Sequence, residues 1–366
     1  QFTKREFSMN KKLLAAAIAA AVVAAPTAFA ESVVYGKFHT SYDGNNFKSG
    51  RLPNEKNYTL ESRASRLGFK GSEDLGNGLK AIYQAEFSVQ TDGNDGGYGQ
   101  DGGDGWGGQR NTFIGLSSDW GTLLAGRHDT PMKVAFYGAG TEVLGDSVLD
   151  LNRGNTLFTN QSSQAPIGVF SEYRADNAVA YVSPSFAGFT VIGAFIPGED
   201  RKSDGKDKEG DGWADHYSFG AIFKSNMFKA GGGYQQTKVA RVKQKIWQIG
   251  GSVDLFDAFN IGAHYENTDN FGQNKGDDYE AWAGTVKWTF GNNALMGVYT
   301  YQKVKPDDGG KIKSDGWGLG AEHNFSKRTK AYVAYASADV NDKADITDFD
   351  FGGDDKVWSL GMIHSF

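Results

Sequence analysis

In its second half the chain alternates, residue by residue, between two chemistries. Tyr217, Phe219, Ala221 and Phe223 share one parity, and Ser218, Gly220, Ile222 and Lys224 share the other. Trp247, Ile249, Gly251, Val253 and Leu255 alternate with Gln248, Gly250, Ser252 and Asp254. Phe259, Ile261, Ala263 and Tyr265 alternate with Asn260, Gly262, His264 and Glu266, and Trp282, Gly284, Val286, Trp288 and Phe290 form a further apolar row. A helix cannot separate such residues, whereas a strand places them on opposite faces of a sheet.

The connections alternate as well. Short turns are read at Glu73 to Gly78, Asp119 to Gly121, Pro184 to Gly188, Ser225 to Phe228, Phe256 to Ala258, Gly291 to Ala294 and Ser326 to Arg328. Longer Gly-, Asp- and Asn-rich links lie near residues 43–57, 91–109, 131–168, 199–212, 268–276, 305–313 and 341–353, with a shorter one near 241–244. Together these join 16 strands, each about 9 to 12 residues long, the length of a tilted β crossing of a bilayer. Short turns belong to one side of such a membrane and long loops to the other.

A mean hydropathy of -0.49 and the lack, beyond residue 25, of any run of roughly 18 apolar residues exclude membrane helices. They do not exclude strands, because lipid-facing and lumen-facing residues average out. An open sheet edge in hydrocarbon would leave its N–H and C=O groups unpaired, so the sheet must close, and 16 strands enclose water instead of a packed core. Aromatics near strand ends, among them Phe256, Phe259, Trp288, Phe290, Phe325 and Phe366, suit interfacial girdles. A secreted β-sandwich or propeller is the alternative. With no cysteine, the chain carries neither disulfides nor a zinc-thiolate site.

Lys11-Lys12, the apolar run Leu13 to Ala25, Pro26 and Ala28-Phe29-Ala30 read as a cleavable secretory signal over residues 9–30. Residues 1–8 read as an upstream remnant and 31–366 as one barrel domain.

The last strand runs Trp358, Leu360, Met362, His364, Phe366 on one parity and ends on an aromatic residue, like the C-terminal signature of outer-membrane proteins. Val34-Tyr35-Gly36-Lys37, the run from Ser65-Arg66-Leu67-Gly68-Phe69 to Leu79-Lys80-Ala81, Arg110 with Phe113-Ile114-Gly115-Leu116, and Trp120-Gly121-Thr122 to Gly126-Arg127 resemble the general, matrix-type trimeric porins of the Gram-negative outer membrane. That resemblance implies an all-β, transmembrane 16-stranded antiparallel barrel with an inward-folded third loop, assembled as a homotrimer and acting as a passive channel for small hydrophilic solutes and ions. By order and length the third long link, 131–168, fits that loop.

Opposed charges at a constriction would set ion preference. The expected acids on the third loop are Glu142, Asp146 and Asp150, and the resemblance places bases at Arg66, Arg110 and Arg174, with Lys37 nearby. Glu86 shares a parity with Lys80, Gln84 and Ser88 and is expected in the lumen. The loop reads Gly140-Thr141-Glu142-Val143-Leu144-Gly145-Asp146, unlike the Pro-Glu-Phe-Gly-Gly type of enterobacterial relatives, so which carboxylate reaches the narrowest point stays open. Arg127 matches a family position, at a subunit interface or behind the loop.

External acids such as Asp92, Asp95, Asp101 and Asp104, or Asp339, Asp342, Asp345, Asp348, Asp350, Asp354 and Asp355, are read as solvated loop residues, or as sites concentrating cations shared with lipopolysaccharide. Neither Gly-x-Ser-x-Gly nor His-Glu-x-x-His occurs, so no enzyme is announced. Expected partners are outer-membrane lipid, lipopolysaccharide and small solutes and ions, with no nucleic acid, cofactor or metal. A substrate-specific porin for phosphate, phosphonate or sugar, and a plugged structural or adhesive barrel, remain alternatives.

Overall fold

The computed structural model describes residues 31–48, 56–92, 106–152, 166–197, 216–239, 242–307, 309–342 and 353–366. The expected signal, the upstream residues and the acids Asp95, Asp101, Asp104, Asp345, Asp348 and Asp350 lie outside them.

Strands follow one another around a single sheet: β1 (Glu31–Phe47), β2 (Lys56–Ser62), β3 (Arg66–Gly76), β4 (Leu79–Val89), β5 (Trp106–Ser118), β6 (Gly121–Asp129), β7 (Arg174–Val182), β8 (Phe189–Ile196), β9 (His216–Lys224), β10 (Phe228–Val239), β11 (Val242–Leu255), β12 (Phe259–Asp269), β13 (Asp278–Phe290), β14 (Asn293–Lys305), β15 (Ile312–Asn324), β16 (Thr329–Asp342) and β17 (Gly353–Ser365). Each pairs antiparallel with its neighbours. β1 pairs with β17 on one side, from Lys37↔Ser365 to Phe47↔Asp355, which closes the barrel. On its other side β1 pairs first with β3 and then with β2, so β2 and β3 are halves of one wall strand and the barrel has 16 strands. No helix among the described residues is long and apolar enough to cross a membrane; the strands make the crossing.

The break between those halves has a physical content that parity does not reveal. Arg63 turns inward and is fully buried, with Nε donating to Ser41 Oγ at 3.0 Å and Nη2 paired to Asp43. Backbone continuity is restored around it by Arg63 N to His39 O at 2.7 Å and Val89 N to Ser65 O at 2.8 Å.

The two parities face lipid and lumen. Ile249, Leu319 and Leu360 are more than half exposed on the outside, whereas Gln248, Ser359 and Glu266 point inward and are buried. The seven short turns connect strands at one end, and the long links occupy the other.

The inner face is not uniform. After β6 a helix, α1 (Pro131–Gly138), starts at Thr130, whose side chain accepts from Lys133 N, with Pro131 in the first turn. It lies against the inward face of β9 and β10, which is built from small residues at this point. A Cβ on Gly231 would sit 1.9 Å from Ala135 O, and one on Gly220 would sit 2.3 Å from Pro131 O, so the helix touches the wall backbone. Farther along the same segment, Leu149 reaches Gly318 and Gly320 of β15, and Ile167 reaches Gly316. Val148, Leu149, Leu151, Ile167, Val169 and Phe170 are buried with Tyr279, Ala281, Ala283, Met296 and Ala334 of β13, β14 and β16. Burial of each large side chain here contributes about 1.5–3 kcal/mol. The described parts of the segment after β6 thereby pack on the inner wall from β9 to β16, and a cavity beside β2 to β7 stays open.

Gly231→Leu is expected to lift α1 from the wall at a cost of about 1–3 kcal/mol and to lower single-channel conductance while the barrel still resists heat on gels. Unchanged conductance would mean that the helix does not rest on this glycine.

Candidate functional site

The open cavity has a volume of about 700 Å³. Its lining includes five bases, Arg66, Arg110, Arg127, Lys133 and Arg174, and five acids, Glu86, Asp129, Asp146, Glu172 and Asp176. Glu86 and Arg66 are turned inward by strand parity, whereas Arg110 shares a parity with the outward Ile114 and Leu116 and comes inside through the register shift between Ala85↔Thr112 and Phe87↔Gln109; Arg127 lies beside a similar shift in β6.

Glu86 on β4 is the centre of one cluster. Its Oε1 accepts from Arg110 Nε at 2.7 Å, its Oε2 accepts from Tyr35 OH at 3.0 Å, and Arg66 Nε stands 3.8 Å from Oε2. Arg66 is the first residue of β3, three positions beyond the buried Arg63 of the strand break. From the inner segment, Asp146 meets this cluster directly: it pairs with Lys37 Nζ and lies 3.8 Å from Arg66 Nη1. Asp146 adopts a left-handed backbone (φ 56°), and its N–H donates to Asp150 Oδ2 at 2.6 Å. Asp150 is buried and also accepts from Asn152 N at 2.7 Å, so it braces the turn that presents Asp146.

Glu142 is not among the lining residues. It folds back into its own loop, where Oε2 accepts from Leu151 N at 3.2 Å. Burial, together with the nearby charge of Asp150, holds its carboxyl well above the ordinary glutamate range. Of the loop acids anticipated from sequence, Asp146 is thus the one brought opposite the wall bases.

Arg174 belongs to a second cluster that sequence parity does not announce. Its Nη2 lies 2.9 Å from Asp129 Oδ1 and its Nε donates to Asn111 Oδ1 at 2.8 Å. Lys133 of α1 bridges Asp129 at 3.0 Å and Glu172 at 3.3 Å. Arg127 lines the same cavity, paired with Asp176 and donating from Nε to Gln109 O at 2.9 Å. The helix-start pattern Thr130-Pro131, directly after Asp129, is the sequence feature that could have located this cluster.

The return limb of the inner segment is fastened to the wall by Glu266 on β12. Ser171 donates to it twice, through N and Oγ, each at 2.7 Å, and Gln248 Nε2 donates at 2.5 Å. Phe136 and Phe170 flank His264, whose ring centroid is 4.5 and 4.7 Å from theirs. No group of three or more His, Asp or Glu among the described residues is placed to hold a metal ion. The two clusters are contact ion pairs on the wall of the open cavity.

A profile described as Gram-negative porin matches residues 15–343. The major outer membrane protein P.IB of Neisseria meningitidis serogroup A is 28% identical, over 89% of this chain and 92% of that protein. The P.IA protein of Neisseria meningitidis serogroup C is 33% identical, over 53% of this chain and 48% of its own. Among solved structures, the anion-selective porin from Comamonas acidovorans superposes with a TM-score of 0.71 at 19% identity, covering 92% of this chain and all of that one. Salmonella typhi OmpF, in complex with daunomycin, gives 0.64 at 15% identity, covering 92% and 97%.

Glu86→Gln removes the charge that holds Arg66 and Arg110, so the reversal potential in a salt gradient is expected to move toward anion preference by several millivolts or more, about the scale of one fixed charge in a narrow pore. A shift of the opposite sign would contradict the assignment of Glu86 to the passage. For Glu142 the raised folded pKa means that loop stability is fully present below the ordinary carboxyl range and is lost as pH rises through the folded value. Glu142→Gln should therefore flatten the alkaline side of a thermal-unfolding pH series; a profile identical to the parent's would remove Glu142 from that role.

Proposed function

The chain belongs to the Gram-negative porin family, and from that membership we propose that the cavity bounded by Arg66, Arg110, Glu86 and Asp146, with Lys37 paired to Asp146 beside it, is the selectivity filter of each pore. The protein is a passive diffusion channel of the outer membrane, a multi-pass β-barrel through which small hydrophilic solutes and ions move down their gradients. Porins of this family are channels and not enzymes.

The observation that carries the filter assignment is the placement of Asp146, on a segment packed inside the barrel, opposite bases supplied by the wall. The five acids and five bases of the lining cancel in number, so the filter sorts solutes by size and by transverse field more than by net charge. Dipolar solutes align against the row of carboxylates and guanidinium groups on the cavity wall, while apolar ones meet a desolvation cost with no compensating contact. The working assembly is a homotrimer of such barrels, surrounded by outer-membrane lipid and lipopolysaccharide.

Planar-bilayer recording of the purified protein is expected to show conductance in steps of three, with a small reversal potential in a salt gradient. Arg110→Gln should move that potential toward cation preference. Absence of conductance from the folded trimer would overturn the reading, and block by a micromolar solute would replace it with a substrate-specific pore.

A further inference from the structure

Outside the filter, the inward parity of the strands carries opposite charge at the two ends of the lumen. Toward the short turns it holds Lys70 and Lys80 of β3 and β4, Lys224 and Lys229 of β9 and β10, Lys287 of β13 and Lys330 of β16. The acids of that parity at this end are Asp74, Asp254 and Glu322, with Glu31 at the register position opposite Ser72. Glu73 falls on the outward parity, and the turns themselves balance, Asp119 and Asp257 against Lys327 and Arg328. Lysine is therefore in excess on this side of the filter.

The acids present do not cover that excess. Glu322 is shared by Lys287 Nζ at 2.9 Å and Lys330 Nζ at 3.0 Å, so one carboxylate serves two cations. Asp254 pairs with Lys229 at 2.7 Å. Asp74, the cross-strand neighbour of Lys80, accepts from Gly76 N at 2.8 Å and so caps its own turn. Lys70, Lys80 and Lys224 are exposed and form no ion pair with a described residue; Lys70 Nζ stands 5.1 Å from the centre of the Tyr35 ring.

At the long-loop end the same parity reverses sign. Asp43, Glu61, Glu266 and Asp355 lie on it, and Asp92 follows β4 directly, its Oδ2 accepting from Ser62 N at 3.1 Å. Arg63, paired to Asp43, is the one base set among them outside the filter within the described residues. Glu61 and Asp92 are half-buried and the other three acids are buried, so the lysine mouth is the more exposed of the two. Along the axis the lumen thus runs from acidic, through the balanced filter, to basic.

Fixed charge in a narrow aqueous passage with low-dielectric walls gathers counterions beside it. The Debye length is about 10 Å at 0.1 M salt and about 3 Å at 1 M, against a hydrocarbon core about 30 Å thick, so in dilute salt each mouth keeps its own ion population. Anions collect at the lysines and cations at the acids. A voltage positive on the long-loop side drives both populations into the filter and raises its conductance. The opposite voltage draws both away and leaves the filter depleted.

We propose that the lysine-lined mouth at the short-turn, periplasmic end, set against the acids of the long-loop end, makes each pore an ionic rectifier that collects small anions on the periplasmic side. Current is larger when the long-loop side is positive. This deepens the channel reading and rests on it, but not on which residues form the filter.

Single pores in planar bilayers test it, in symmetric KCl at about 0.1 M and about 1 M. The chain has no cysteine, so Asn226→Cys in the exposed β9–β10 turn, biotinylated, reports orientation through streptavidin added to one chamber. In dilute salt the parent is expected to pass about 1.5 to 2 times more current with the long-loop side positive, and in concentrated salt equal currents. Lys70→Gln/Lys80→Gln/Lys224→Gln, which breaks no ion pair, should bring the dilute-salt ratio close to unity. Should that variant fail to fold, Lys224→Gln alone should lose about a third of the asymmetry. Lys243→Gln/Lys313→Gln, on the outward face, should keep the parental ratio. Linear currents from the parent in dilute salt, asymmetry of the opposite sign, asymmetry that survives concentrated salt, an unchanged ratio in both inward variants, or its loss in the outward one would each overturn the proposal. A linear parent whose reversal potential is still moved by Glu86→Gln would sink the rectifier and leave the filter in place, whereas absence of conductance would sink both.

Discussion

Hydrocarbon offers a backbone no hydrogen bonds, and closure of the sheet at β1 and β17 is the structure's answer to that. Once the ring is shut, its circumference is set by the number of strands, and 16 leave an interior too wide for wall side chains to fill. Water enters, and the inner parity becomes free to carry charge. The same closure explains why the outer parity is so apolar while mean hydropathy is negative: the two faces of each strand answer to different solvents.

A lumen of that width would sort solutes poorly, and the segment between β6 and β7 changes this by using the inner wall as a packing surface. Its hydrophobic residues need a dry face, and β9, β10 and β15 provide one because Gly220, Gly231, Gly318 and Gly320 leave room for helix backbone and leucine. Glycines in strands normally weaken a sheet, so their concentration on this side is accounted for by close approach of another chain segment. The covered wall is consequently apolar and rigid, and the open cavity inherits every solute. Asp146 sits at the seam between them. Its turn is held from one side by Asp150 and faces Lys37 and Arg66 on the other, so one carboxylate is presented to the passage while Glu142, four residues earlier, is folded away.

Strand positions and faces were legible because period 2 is a property of local backbone geometry, and every residue from Trp247 to Leu255 obeys it independently of its partners. Glu86 could be assigned to the lumen from parity alone for the same reason. Parity has no meaning off the strands, which is why Glu142 and Asp146 could not be ranked by sequence and why the Asp129, Lys133 and Glu172 cluster went unread. Thr130-Pro131 carried a local helix start, but nothing local says that the helix will lie inside the barrel. Arg63 is a different case. Its burial depends on a strand break and on Asp43 from the neighbouring strand, a contact between residues 20 apart that neither segment encodes alone.

The charges lining the passage are held as contacts between opposite signs. Acids and bases there come in matched sets, Glu86 with Arg110, Asp129 with Arg174 and Asp146 with Lys37. Matching matters there, since an excess of one sign would hold counterions and slow the transit of everything else. On the outer parity charge is confined toward one end of the strands and is likewise matched, Lys303 with Glu280 and Lys305 across from Asp278, while aromatic and aliphatic groups fill the rest. The alternation of side chains along a strand is what lets one sheet hold a charged aqueous face and an apolar lipid face in the same length of chain.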